Sequence, residues 1–167
     1  MRRTSAGWAL ALVLVVWAAA PAAAEGTWLW PVSGPVVHSF DPPDSPFGSG
    51  HRGIDIAAPE GTVAVAPAAG VVAFAGPIAG NLFLTLDHGG GLTSTFSWVS
   101  SLLVRRGDAV NAGQAVVLTG WAHPGSAVAT LHFGVRLDRV YQDPMQYLSP
   151  MDVSGLIRLA PWEGSTL

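Results

Sequence analysis

The amino-acid sequence predicts an all-β fold, an antiparallel β-sheet domain. Three observations carry that expectation. Glycine and proline are dense, at 20 and 13 of 167 residues. They punctuate short apolar segments about every ten residues, the spacing of a sandwich or barrel. No window of about eleven residues after Glu25 shows helical periodicity.

The candidate strands, in order, are Val36–Phe40, Gly53–Ala57, Val63–Ala66, Gly70–Ala75, Leu82–Asp87, Leu92–Trp98, Ala115–Thr119 and Thr130–Asp138. Each is a short run rich in β-branched or aromatic residues, bounded by turn formers. Between Asp87 and Leu92 lies His88-Gly89-Gly90-Gly91, a turn whose glycines are free to take positive φ. The segment 40–50, with three prolines and two glycines, is expected to be an irregular loop.

The ends of the chain read differently from its middle. Arg2 and Arg3 precede an uncharged apolar run from Ala6 to Ala20, and Ala22-Ala23-Ala24 supply the small residues that a signal peptidase accepts. Residues 1–24 are therefore expected to be a secretory signal peptide, with Glu25 opening a mature domain at 25–150. The run is short for a bilayer span, so no stable membrane span is expected after cleavage. Residues 151–167 read as a C-terminal tail, in which Leu156, Ile157, Leu159 and Trp162 could pack back as a short helix.

Composition narrows the function. The chain contains no cysteine, which excludes disulfides and thioether-linked lipid. Past residue 24 six arginines face all eleven acidic residues. An acidic chain without basic clusters argues against nucleic acid as a partner.

Two segments could carry chemistry. His51-Arg52-Gly53-Ile54-Asp55 sets a histidine and an aspartate four apart at the entry to a strand, where period-two alternation points both the same way. Imidazole nitrogen and carboxylate oxygen both suit zinc, although the spacing alone fits an ordinary surface contact as well. The second segment is the strand 130–138. Leu131, Phe133, Val135 and Leu137 form an apolar face, which leaves Thr130, His132, Arg136 and Asp138 on the other. His132 is thus expected to face a cleft or solvent, available as a third ligand. Three protein ligands plus water is the arrangement of a catalytic zinc site.

Further short motifs fall in one order: Trp30-Pro31 with Gly34, Ala58-Pro59-x-Gly61-Thr62, Gly70-Val71-Val72, Leu86-Asp87-His88-Gly89, Thr95-Phe96, Gly107-Asp108, Gly113-Gln114, Leu131-His132-Phe133 and Asp143-Pro144. Together with His51-x-Gly-x-Asp55 they resemble the lysostaphin/LytM-type zinc metallopeptidase family over about Trp28 to Leu148. The resemblance implies a split β-barrel domain that acts on, or binds, peptidoglycan peptides. It places the zinc ligands on His51, Asp55 and His132.

Two departures accompany it. The family's catalytic histidines fall on Thr130, two residues before His132, and on Trp98, after Thr95-Phe96-Ser97. Threonine does not titrate near neutrality, and tryptophan can only donate a hydrogen bond or stack. Loss of a positioned acid/base typically costs 10²–10⁴-fold in rate. The expectation is a degenerate, secreted, cell-wall-associated member, weak or inactive as a hydrolase, that recognises wall peptides or regulates a cell-wall hydrolase. Two alternatives stand beside it: an active endopeptidase with a displaced acid/base such as His123, and a metal-free protein-binding module. His88 reads as structural and His38 as an ordinary strand residue.

Overall fold

The computed structural model describes residues 27–45, 48–121 and 126–150. The expected signal peptide, the tail and His123 lie outside them. The regular structure of the described chain is almost wholly antiparallel β-sheet: β1 (Val36–His38), β2 (Ile54–Ala57), β3 (Val63–Val65), β4 (Gly70–Ile78), β5 (Asn81–Asp87), β6 (Leu92–Leu102), β7 (Ala109–Val110), β8 (Ala115–Thr119), β9 (Thr130–Leu137) and β10 (Val140–Gln142). One turn of 3₁₀ helix, Pro144–Gln146, follows, with the Asp143 side chain accepting from the Met145 N–H.

The main sheet runs β1-β2-β9-β6-β5-β4-β7, with β10 on β9 and a β3–β8 pair joined through β6. All eight expected strands form, with shifted ends. β1 stops at His38, whereas β4 and β6 continue to Ile78 and Leu102. Segment 40–50 contains no strand or helix among its described residues, apart from a bridge that pairs Asp41 with His51.

Alternation along the strands explains the core. Ile54, Ile56, Leu84, Leu86, Phe96, Leu131, Phe133 and Val135 are fully buried, and Phe96 meets Phe133 edge to face at 5.4 Å. Leu137 breaks the expected apolar face of β9. It is 39% exposed because it lies at the turn into β10. The domain's two ends are tied together: Trp28 N–H donates to the Tyr147 carbonyl, and Ser149 N–H donates to the Trp28 carbonyl.

His88 belongs to this core. It is 3% exposed, its Nδ1–H donates to the Ala69 carbonyl at 2.9 Å, and its Nε2 accepts from Ser94 Oγ at 2.8 Å. The Trp28 ring lies 4.6 Å away. Burial pushes the His88 pKa below its ordinary value, opposed by the Ala69 bond and the Asp87 charge. Unfolded, the ring regains a pKa of about 6.5 and binds a proton more readily than the native ring does. Its contribution to stability is complete above about pH 6.5 and is lost as pH falls from there through the depressed native value. The melting temperature of the chelated protein should therefore drop on acidification below that point. In His88→Gln the acid slope should be shallower, and an equally steep slope would remove His88 as its source.

Candidate metal centre and cleft

The strand register assembles most of the site. In antiparallel pairing, directly opposed residues present their side chains on the same face. His38 on β1 opposes Asp55 on β2, Asp55 opposes His132 on β9, and His132 opposes Ser97 on β6. Four polar residues from four strands thus form one rung. His51 joins from the end of the irregular loop, held by reciprocal backbone bonds with Asp41 at 2.7 and 2.9 Å. Gly53 permits the close approach of β2 and β9: a Cβ there would collide with the Phe133 carbonyl and touch His132 Nε2. This accounts for glycine between His51 and Asp55.

The three residues singled out from sequence come together. His51 Nε2 lies 3.2 Å from Asp55 Oδ1, His132 Nδ1 lies 2.8 Å from the same oxygen, and the two ring nitrogens are 3.0 Å apart. His51 and Asp55 are buried, and His132 is partly open. His51 Nδ1–H donates to the Ser39 carbonyl at 2.7 Å, which turns the Nε2 lone pair toward Asp55 and His132. Burial holds the His51 imidazole below its usual pKa, against the Ser39 bond and the Asp55 charge.

The donor set suits a divalent cation. Two imidazole nitrogens and a carboxylate oxygen crowd one point, and their lone pairs repel unless a proton or cation lies between them. Ligands of a tetrahedral zinc, with bonds of about 2.0–2.1 Å, are separated by about 3.3 Å, close to the observed triangle. The backbone carbonyl behind His51 supplies the outer hydrogen bond that a ligating imidazole needs for orientation.

An open cleft lies above this triangle, lined among others by Ile78, Phe83, Thr95, Ser97, Trp98 and Tyr141. Trp98 therefore belongs to the cleft. Its φ of 61° is in the left-handed region, rare for a bulky side chain. The cause is a bulge: Leu82 pairs with Val99 and Phe83 with Ser97, so Trp98 is the extra residue in β6. At the cleft mouth the Tyr141 ring is flanked by the guanidinium groups of Arg136 and Arg52, at 5.1 and 5.9 Å.

Thr130 departs from expectation. It is fully buried, although the alternation placed it beside His132 on an accessible face. Its N–H donates to the Trp121 carbonyl. Its Oγ1 finds no hydrogen-bond partner among the described residues. His38, read from sequence as an ordinary strand residue, sits at the site: Nδ1 is 3.4 Å from Asp55 Oδ2, and its ring stacks on His51.

An antiparallel β-domain with an imidazole–carboxylate–imidazole triangle beneath an open cleft has the build of a metallopeptidase domain. The chain belongs to peptidase family M23, whose family model matches residues 49–144.

It is 33% identical over 133 residues to the uncharacterized lipoprotein YgeR of Escherichia coli, an alignment covering 78% of this chain and 50% of that protein. It is 37% identical over 159 residues to the uncharacterized protein Rv2891 of Mycobacterium tuberculosis, covering 89% of this chain and 62% of that one. Against the murein hydrolase activator NlpD of Escherichia coli the identity is 33% over 125 residues, covering 73% and 31%. The chain thus spans less than two thirds of the length of each of these relatives.

Among solved structures, lysostaphin of Staphylococcus simulans superposes with a TM-score of 0.66 at 25% identity, covering 84% of this chain and 61% of that one. A zinc-containing peptidase from Vibrio cholerae superposes at 0.62 with 26% identity, covering 75% and 41%.

Proposed function

We propose that this chain is an exported, cell-wall-associated M23 domain in which His51, Asp55 and His132 hold one zinc ion. In this reading it binds wall peptides, or regulates a wall hydrolase, and cleaves weakly or not at all. Residues 1–24 serve as its signal peptide and 25–150 as its mature domain. The observation that carries the reading is the pairing of a converged His/Asp/His triangle with a cleft that offers no further histidine among its described lining residues.

Zinc bound there would polarise a carbonyl and lower the pKa of bound water. Peptide hydrolysis also needs a proton delivered to the departing amine. At the two positions where the family resemblance puts histidine, Trp98 offers a flat ring and Thr130 a buried hydroxyl. Neither can shuttle that proton near neutral pH. What the cleft can do is bind. Trp98 presents a surface for a sugar ring or an apolar stem residue, and Arg136 brings positive charge toward the carboxylates of wall peptides. The relatives named as a lipoprotein and as a murein hydrolase activator support an envelope setting and a regulatory role.

The test uses the purified protein with zinc and isolated peptidoglycan. The protein should co-sediment with the polymer and release no new amine termini. Trp98→Ala should weaken retention about tenfold, the equivalent of about 1.4 kcal/mol. Chelator-sensitive release of peptide fragments would overturn the non-hydrolytic reading.

A further inference from the structure

His38 sits close enough to the site to be a ligand or a support, and ring geometry separates the two roles. Ligand atoms of His38, His51 and Asp55 lie within 4.8 Å of one another, so distance alone admits His38 to the coordination sphere. Two imidazoles on one tetrahedral zinc splay apart, and their ring centres stand about 5 Å from each other. The His51 and His132 rings fit that description, with centres 4.8 Å apart and planes at 67°. The His38 and His51 rings do not: they are parallel to within 4° with centres 3.8 Å apart. Parallel rings at stacking distance cannot aim their nitrogens at a common ion at a tetrahedral angle.

We propose that His38 is a positioning residue of the metal centre, acting from outside the ligand shell. It fixes the plane of the His51 ring by stacking and engages the oxygen of Asp55 that the triangle leaves unused. The two carboxylate oxygens face different rings. Oδ1 of Asp55 faces His51 and His132, whereas Oδ2 faces His38 Nδ1. Engaging Oδ2 from its own side disposes Asp55 to offer a single oxygen to the ion, and the stack stops the His51 ring from rolling out of line. Outer contacts of this kind typically govern metal affinity by 10–100-fold. β1 delivers His38 to this spot because the β1–β2 register sets it directly opposite Asp55, after an irregularity between Val36 and His38.

The assignment rests on the zinc reading and is tested by affinity and spectroscopy. The His38 side chain is 55% exposed, so its truncation opens no core cavity. Zinc affinity is measured by chelator competition, and the Co²⁺-substituted protein supplies a visible absorption spectrum that reports the ligand set. His38→Ala should bind zinc 10–100-fold more weakly than wild type, while its Co²⁺ band positions and intensities stay unchanged. His38→Gln, whose amide can face Oδ2 without stacking, should recover part of the affinity. Wild-type affinity in His38→Ala would overturn the proposal. A shifted or weakened Co²⁺ spectrum would also overturn it, by making His38 a ligand. A wild type that takes up neither metal defeats the zinc reading itself, and this assignment falls with it. A thermal melt in chelator, expected to match wild type, separates a positioning effect from misfolding.

Discussion

Replacing Trp98 and Thr130 together by histidine is expected to raise cleavage of isolated wall peptides by about 10²–10⁴-fold over the parent protein. The expectation follows from what the cleft holds and lacks. The donor set of His51, Asp55 and His132 suits a metal, and the described cleft lining holds no histidine beyond His51 and His132. Position 98 favours the change, because histidine tolerates the left-handed backbone better than a large aromatic residue does. Position 130 resists it. Thr130 is fully buried, so a larger ring there costs about 1–3 kcal/mol of stability through overpacking. The readout is new amine termini, with and without chelator. A double variant that binds zinc, folds and stays at the parent's rate would sink the account of a lost acid/base.

Zinc should stabilise the fold substantially, and the effect should disappear in His132→Ala. At a zinc concentration about a thousandfold above the dissociation constant, binding to the native state alone adds about 4 kcal/mol. For a domain of this size that corresponds to a rise in melting temperature of roughly 10–20 °C. The physical source is the crowding of acceptor atoms around Asp55 Oδ1, which a cation converts from repulsion to attraction. His132 is partly open, so its truncation leaves the core intact while removing one corner of the triangle. Chelator should lower the melting temperature of wild type and leave His132→Ala unmoved. Equal responses in the two proteins would show that the metal sits elsewhere.

Legibility from sequence divided along physical lines. Eight strands were readable because each is a short local run rich in β-branched or aromatic residues, set between turn formers. The two that escaped, Ala109–Val110 and Val140–Gln142, give weak local signals. The first is two residues long. The second follows a turn whose positive φ values, 48° and 70°, are carried by Asp138 and Arg139, so no glycine announces the hairpin. The burial of Thr130 and the exposure of Leu137 escaped as well. Alternation assigns faces but does not say how closely each face is packed, or where a strand runs out into a turn.

The site shows the same division. His51 and Asp55 are four residues apart, and their partnership could be read as a motif, as could the polar face that carries His132. Their order with the surrounding glycine and proline motifs was enough to indicate the family. The positions of Thr130 and Trp98 in that order were enough to question the chemistry. By contrast, the role of His38 was invisible. It lies 17 residues before Asp55 across an irregular loop, and only the pairing register of β1 and β2 sets the two face to face. The placement of Trp98 in the cleft also waited on the fold, because one inserted residue in β6 decides which way that ring points. By itself the sequence determined the β-architecture, the triangle's members and the family, since these rest on local pattern and order along the chain. The tertiary structure decided what supports the triangle and what lines the cleft, because register, bulges and cover arise between strands that no local pattern connects.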